Sequence, residues 1–248
     1  MKAYLESLYA LEEKVLRSLE QLSSVPMDPT LEVSLSELRS YHDLLICHIF
    51  LISDRLLDGR TIDPSEKLYS IFEQHTEWIQ KGKAHRRVEL GHRLLIATDQ
   101  YGIVHDYKIM QGADEAGEVA SLADRLVRKL GLETMSSLSF DRGFSSVENR
   151  ELLEMCLEGV EVIMPKKGKL NAADRERQSQ KKWRKLSNKH SAVESDINSL
   201  EHHGLDRCPD KGYPGYARYA GLGILAYNLH RIGNHLLKEQ SSRLARAA

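Results

Sequence analysis

The sequence predicts an α/β fold: a mixed sheet flanked by helices, preceded by an all-helical N-terminal segment. Three observations lead there. Apolar residues recur at threes and fours through residues 1–60. Two apolar runs joined by a turn follow. From 117 onward, helical and strand patterns alternate. A hairpin followed by alternating helices and strands implies a mixed sheet with helices on its faces.

In the first segment, Leu5, Leu8, Leu11, Val15 and Leu19 keep one helical face. Pro26 and Pro29 break that pattern. A second helical pattern runs over 35–57 and stops at Asp58-Gly59. The run 68–72, with Tyr69 and Phe72, predicts a strand. Runs 88–98 and 103–110 flank Asp99-Gln100-Tyr101-Gly102 and predict a hairpin. Helical spacing over 117–130 rests on Val119, Leu122, Ala123, Leu126, Val127 and Leu130. A strand is expected over 132–140, a helix over 147–157 and a strand over 160–164, closed by Pro165. Helix resumes near 172, is interrupted at 212–215, and ends in a helix over 216–237. The chain is thus expected to divide into a helical region, 1–60, and an α/β domain, 61–240.

Hydrophobic residues make up 41% and charged residues 29%, enough for a sizeable core. The formal net charge is −1, so any basic surface must be local. Residues 1–60 carry six basic and ten acidic residues, a poor match for a DNA-reading module. Cys47, Cys156 and Cys208 are scattered and odd in number, which excludes a disulfide framework and a CxxC zinc site. The most apolar run, 44–57, is broken by His48 and by Ser53-Asp54-Arg55, so no membrane span is expected. With no signal-peptide pattern at the N-terminus, the chain is expected to be cytoplasmic.

Two-metal phosphodiester chemistry needs carboxylates converging from different elements, to hold the ions that activate the attacking oxygen and stabilise the leaving one. Oxygen ligands suit Mg2+ or Mn2+. Three positions fit. Asp141 ends a strand just before a turn and a helix, where sites form in open α/β sheets. The plainer reading is an Asp that caps the next turn. Glu194 follows a basic stretch on an amphipathic helix. On pattern alone it reads as a surface residue, with Asp196 and Glu201 as near competitors. Glu73 ends the first expected strand, where the element order sets it beside Asp141; otherwise it is a solvent-facing strand end. His75 reads as a polar edge residue before a ligand. Asp99 rivals Glu73, although its Asp-x-x-Gly setting suits a hairpin turn. Asp114 suits a turn or a supporting role.

Over 161–190, ten basic residues face three acidic ones. Lys166, Lys167, Lys169, Lys181, Lys182 and Arg184 are candidate phosphate contacts there. The plainer reading is a solvated loop. Lys81, Lys83, Arg86 and Arg87 form a second patch soon after Glu73.

Four blocks occur in order over roughly 60–235. They are Ser70-Ile71-Phe72-Glu73-x-His75-Thr76-Glu77-x-Ile79-x-Lys81-Gly82-Lys83 with Glu89-Leu90-Gly91-His92; Asp141-Arg142-Gly143-Phe144-x-Ser146-x-x-Asn149; Glu194-x-x-Ile197-x-x-Leu200-x-x-x-Gly204-Leu205-x-Arg207-Cys208; and Gly223-x-x-Ala226-x-Asn228-Leu229. Together they resemble the ISNCY-type DDE transposases of bacterial insertion sequences. The resemblance implies an RNase H-like mixed sheet, an acidic triad binding Mg2+ or Mn2+, and cutting and joining of DNA ends. It sets the second and third acids at Asp141 and Glu194 and the first at Glu73, with Glu77 and Asp99 as alternatives. It implies DNA as partner, both element ends and target, bound by a homo-oligomer.

Two departures stand out. Glu201 occupies a position where relatives often carry a basic residue. Relatives are usually longer at the N-terminus, with a helix-turn-helix, so a truncated copy is expected. Three readings follow: an active transposase, a catalytically impaired DNA-binding remnant, and an unrelated RNase H-like nuclease acting on RNA or general DNA.

Overall fold

The computed structural model describes residues 2–26, 28–80, 88–112 and 114–247. By packing, the chain divides into two compact units, Met1–Gly91 and His92–Ala248.

The first unit opens with two helices, α1 (Lys2–Ser23) and α2 (Pro29–Leu56). Asp28 starts α2, its carboxylate accepting the Thr30 and Leu31 N–H groups, with Pro29 in the first turn. The helices are antiparallel. Tyr4 meets His48, Glu12 meets His42, and Leu5 and Leu8 pack with Leu45 and Ile49. The strand expected at 68–72 does not form. Ser70 Oγ accepts the Glu73 N–H, and the Glu73 carboxylate lies 2.9 Å from His75 Nε2. Such local side-chain bonds compete with a strand ladder. Phe72 is 73% exposed and touches the Tyr41 ring. The strand comes later, as β1 (Glu77–Gln80), antiparallel to β2 (Val88–Gly91).

In the second unit, β3 (Leu94–Thr98) and β4 (Val104–Ile109) form the expected hairpin, with a register shift at Ala97/Thr98. The single run expected over 88–98 is therefore two strands. Between them, the His92 ring packs against the rings of Tyr213 and Tyr216. At the hairpin turn, Asp99 accepts the Tyr101 and Ile103 N–H groups, and Gly102 takes φ 75°.

Helix α3 (Val119–Leu130) buries Val119, Leu122, Ala123 and Leu126. On β4, Asp106 is 2% exposed and bonds to Arg125 and Lys129, which fastens α3 to the hairpin. Next come β5 (Ser137–Ser139), α4 (Val147–Cys156, capped by Ser146) and β6 (Glu161–Ile163). β5 and β6 pair in parallel, Leu138 opposite Val162. Leu95, Met110, Phe140, Leu153 and Met164 join α3 in one core.

The basic stretch is helical: α5 (Ala172–Ser179) and α6 (Lys181–Leu200). α6 ends at a kink where Gly204 takes φ 98° and its carbonyl accepts the Tyr219 hydroxyl. α7 (Gly212–Ala247) is longer than expected, and the interruption at 212–215 lies inside its first turn. Val104, Leu200, Ile224 and Tyr227 form a second core uniting the hairpin, α6 and α7. The Asn228 side-chain amide donates to the Val104 carbonyl and accepts from its N–H, both at 2.9 Å.

The described strands pair as three separate two-stranded sheets, not as the one continuous mixed sheet expected. No helix among the described residues is long and apolar enough to cross a membrane.

Candidate active site

Asp141 follows directly on β5. Its strand neighbour Phe140 is buried and donates its N–H to the Ile163 carbonyl. Asp141 itself is exposed and caps a 3₁₀ turn, Arg142–Phe144, its Oδ1 accepting the Arg142 N–H at 2.6 Å. Asp141 therefore both follows a strand and caps the turn after it.

Glu194 is exposed on α6. Two contacts set the direction of that helix. Lys182 Nζ reaches Glu161 Oε2, at the start of β6, and His190 Nδ1 lies 3.1 Å from Ser139 Oγ, at the end of β5. Glu161 is level with Ser137 and Ile163 with Ser139. α6 therefore runs in the same sense as β5 and β6. Glu194, one turn past His190 and on the same side, lies at the strand end that Asp141 occupies.

The competitors of Glu194 have other surroundings. Asp196 is buried on the opposite side of α6. Its Oδ1 accepts the Tyr227 hydroxyl at 3.1 Å, and Arg231 Nη2 stands 3.7 Å away. Burial, with the Asp196 charge second, pushes the Tyr227 hydroxyl up to about 12. A side chain on Gly102 would collide with Asp196 and Arg231, so Asp196 supports the hairpin turn from below. Glu201 is exposed at the start of the kink.

Asp99 is committed to its turn. Burial alone would raise its pKa. Hydrogen bonds from His105 and from the Ile103 and Tyr101 N–H groups outweigh that and hold it below the usual carboxylate range. Asp114 accepts the Gly117 N–H, as a turn residue does. Glu115 was not foreseen. Its carboxylate packs where a Gly143 side chain would stand, beside the Asp141 turn, and lies 3.6 Å from Arg93. Only the neighbouring Asp-Glu pair in the sequence hinted at it. Asn149 binds the two turns together, its Nδ2 donating to the Ala116 and Phe144 carbonyls.

Glu73 and Glu77 belong to the first unit. Glu73 follows no strand, and Glu77 begins β1. Among the described residues, no three His, Cys, Asp or Glu side chains converge closely enough to hold a metal ion.

The basic candidates fall into three groups. Lys81, Lys83, Arg86 and Arg87 lie outside the described residues. Lys166 is bonded to Asp174 beside Arg150, and Lys182 to Glu161. Lys167, Lys169, Lys181 and Arg184 are exposed, the last two on a formed helix and not on a solvated loop.

A family model described as the transposase DDE domain matches residues 50–229, most of the chain and all of the stretch from Glu73 to Glu194. No curated protein and no solved structure matches.

Proposed function

Because this chain belongs to the transposase DDE domain family, we propose that it cuts DNA at the ends of an insertion sequence and joins those ends to a target. The observation that carries this reading is the shared position of Asp141 and Glu194 at one end of β5, within the family match. Two elements from distant parts of the sequence bring exposed carboxylates to that end, as phosphodiester chemistry requires. Glu73 is the proposed third acid. The hairpin, α3, β5, α4 and β6 follow the order of an RNase H-like sheet, which is the proposed arrangement. Exposed Lys167, Lys169, Lys181 and Arg184, with Lys81, Lys83, Arg86 and Arg87, would neutralise phosphates along the duplex. Lys166 and Lys182 would do so on leaving their carboxylate partners.

Transposases of this family use divalent ions, and Mg2+ or Mn2+ is the proposed cofactor. What the chain's residues supply in the present arrangement is narrower. Asp141 and Glu194 present negative charge at a strand end, and the basic helices hold the backbone. A cytoplasmic location and a homo-oligomer bound to DNA complete the proposal.

The test is nicking of element-end DNA with and without Mg2+. Asp141→Asn should lower the rate on the order of 10²–10³-fold, the scale of removing one group that meets developing charge. Glu201→Gln should leave the rate unchanged. Equal nicking by wild type and Asp141→Asn would overturn the assignment.

A second reading has its own observation. The described residues gather no ion-binding set, whereas the basic helices are fully formed. A chain that binds DNA with strong salt dependence, yet nicks no DNA in Mg2+ or Mn2+, is a catalytically impaired DNA-binding remnant.

A further inference from the structure

The last helix carries two apolar faces. One, with Ala220, Ile224 and Tyr227, is buried within its own unit. Away from it stand Leu222, Leu225, Leu229, Ile232 and Leu236, each exposed by between 45% (Ile232) and 62% (Leu229). With 3.6 residues per turn, these five fall within an arc of about 80°. Their steps are three, four, three and four. That 3.5-residue period marks a seam shared between two helices. A helix whose outer face meets only water shows charged and polar residues there instead.

We propose that this seam docks against the same helix of a second copy of the chain. Three observations select that occupant. The row consists only of Leu and Ile, so it complements itself: two copies related by a two-fold axis match apolar row to apolar row. The flanking positions, Ala226, Asn228, Gly233 and His235, include no carboxylate, Lys or Arg. Nothing on this rim repels a like copy, and nothing selects a partner of opposite charge. The size is also sufficient. At roughly 100 Å² left on each of the five side chains, the seam offers about 500 Å² per copy and about 1,000 Å² in the pair, the lower bound for a specific interface. The row ends at Arg218 and Glu239, each already ion-paired within its own chain, to Asp210 and Arg243. This inference is independent of the chemistry at Asp141, because a chain unable to nick DNA would still pair.

The experiment is sedimentation equilibrium of the full chain at micromolar concentrations without DNA. Wild type should show twice the monomer mass of 28.2 kDa. Leu229→Glu should sediment as the monomer, with unchanged helical circular dichroism and a melting temperature no longer dependent on concentration. If that variant loses helix, Leu236→Glu, nearer the end of the row, serves the same purpose. Leu229 lies mid-row, close to its own copy whether the helices run parallel or antiparallel. Mixing Leu229→Glu with Leu229→Lys chains should therefore restore the doubled mass. A wild type that stays monomeric overturns the proposal, as does a Leu229→Glu chain that stays dimeric. A monomeric wild type whose Leu229→Glu variant melts lower also overturns it, and assigns the seam to residues of the chain itself.

Discussion

Asp106 shows what a charge inside this protein does. Burial would raise its pKa, but bonds from Arg125 and Lys129 hold it below the usual carboxylate range. Removing it leaves two cations facing an empty place under α3. Asp106→Ala should lower stability by about 3 kcal/mol, measured by urea denaturation, towards the lower end for a broken buried pair because Lys129 is half exposed. The sign of the pH effect follows. Asp99 and Asp106 both have lowered folded pKa values. Their contribution is fully present above the unfolded carboxylate value of about 3.9 and is lost as pH falls through the lower folded values. The melting temperature should therefore drop below about pH 4, and less steeply in Asp106→Asn. The setting of Asp141 was legible in the sequence because strand, Asp and turn are neighbours along the chain. Which of Glu194 and Asp196 is buried was not. It depends on which side of α6 is covered, and that is decided by Tyr227, 31 positions away.

Among the elements, the helices were the most legible, since 3.6-residue periodicity is local. The strands were harder. Residues 68–72 have a strand's composition, yet Ser70 and His75 bind Glu73 locally and turn the chain. Run 88–98 reads as one strand until His92 meets rings from α7, which no local pattern reveals. The basic stretch was legible as charge and, from 172 onward, as helix. Its helical form makes a sharper prediction possible. Lys181, Lys185 and Lys189 recur every fourth residue on α6 and are all exposed. Replacing each with Gln should flatten the dependence of log affinity on log salt by roughly 0.9 for every phosphate no longer neutralised. Fluorescence anisotropy on duplex DNA measures it. An unchanged slope would take this helix off the DNA path.

Across the whole molecule, the α/β class could be read from the order of elements, but the closure of the sheet could not. Pairing joins residues far apart in sequence, and the described strands stop at pairs. At one place the structure shows why. The Asn228 amide takes up both backbone groups of Val104, standing where a neighbouring peptide would otherwise lie. It acts as a plug on the rim of β4. A bare rim is a template on which a stray extended segment from another molecule can lie down and begin an aggregate. Asn228→Ala removes the plug and should make concentrated solutions turn cloudy, by light scattering, while dilute ones stay clear. One amide in the last helix thus bears on solubility, far from any chemistry on DNA.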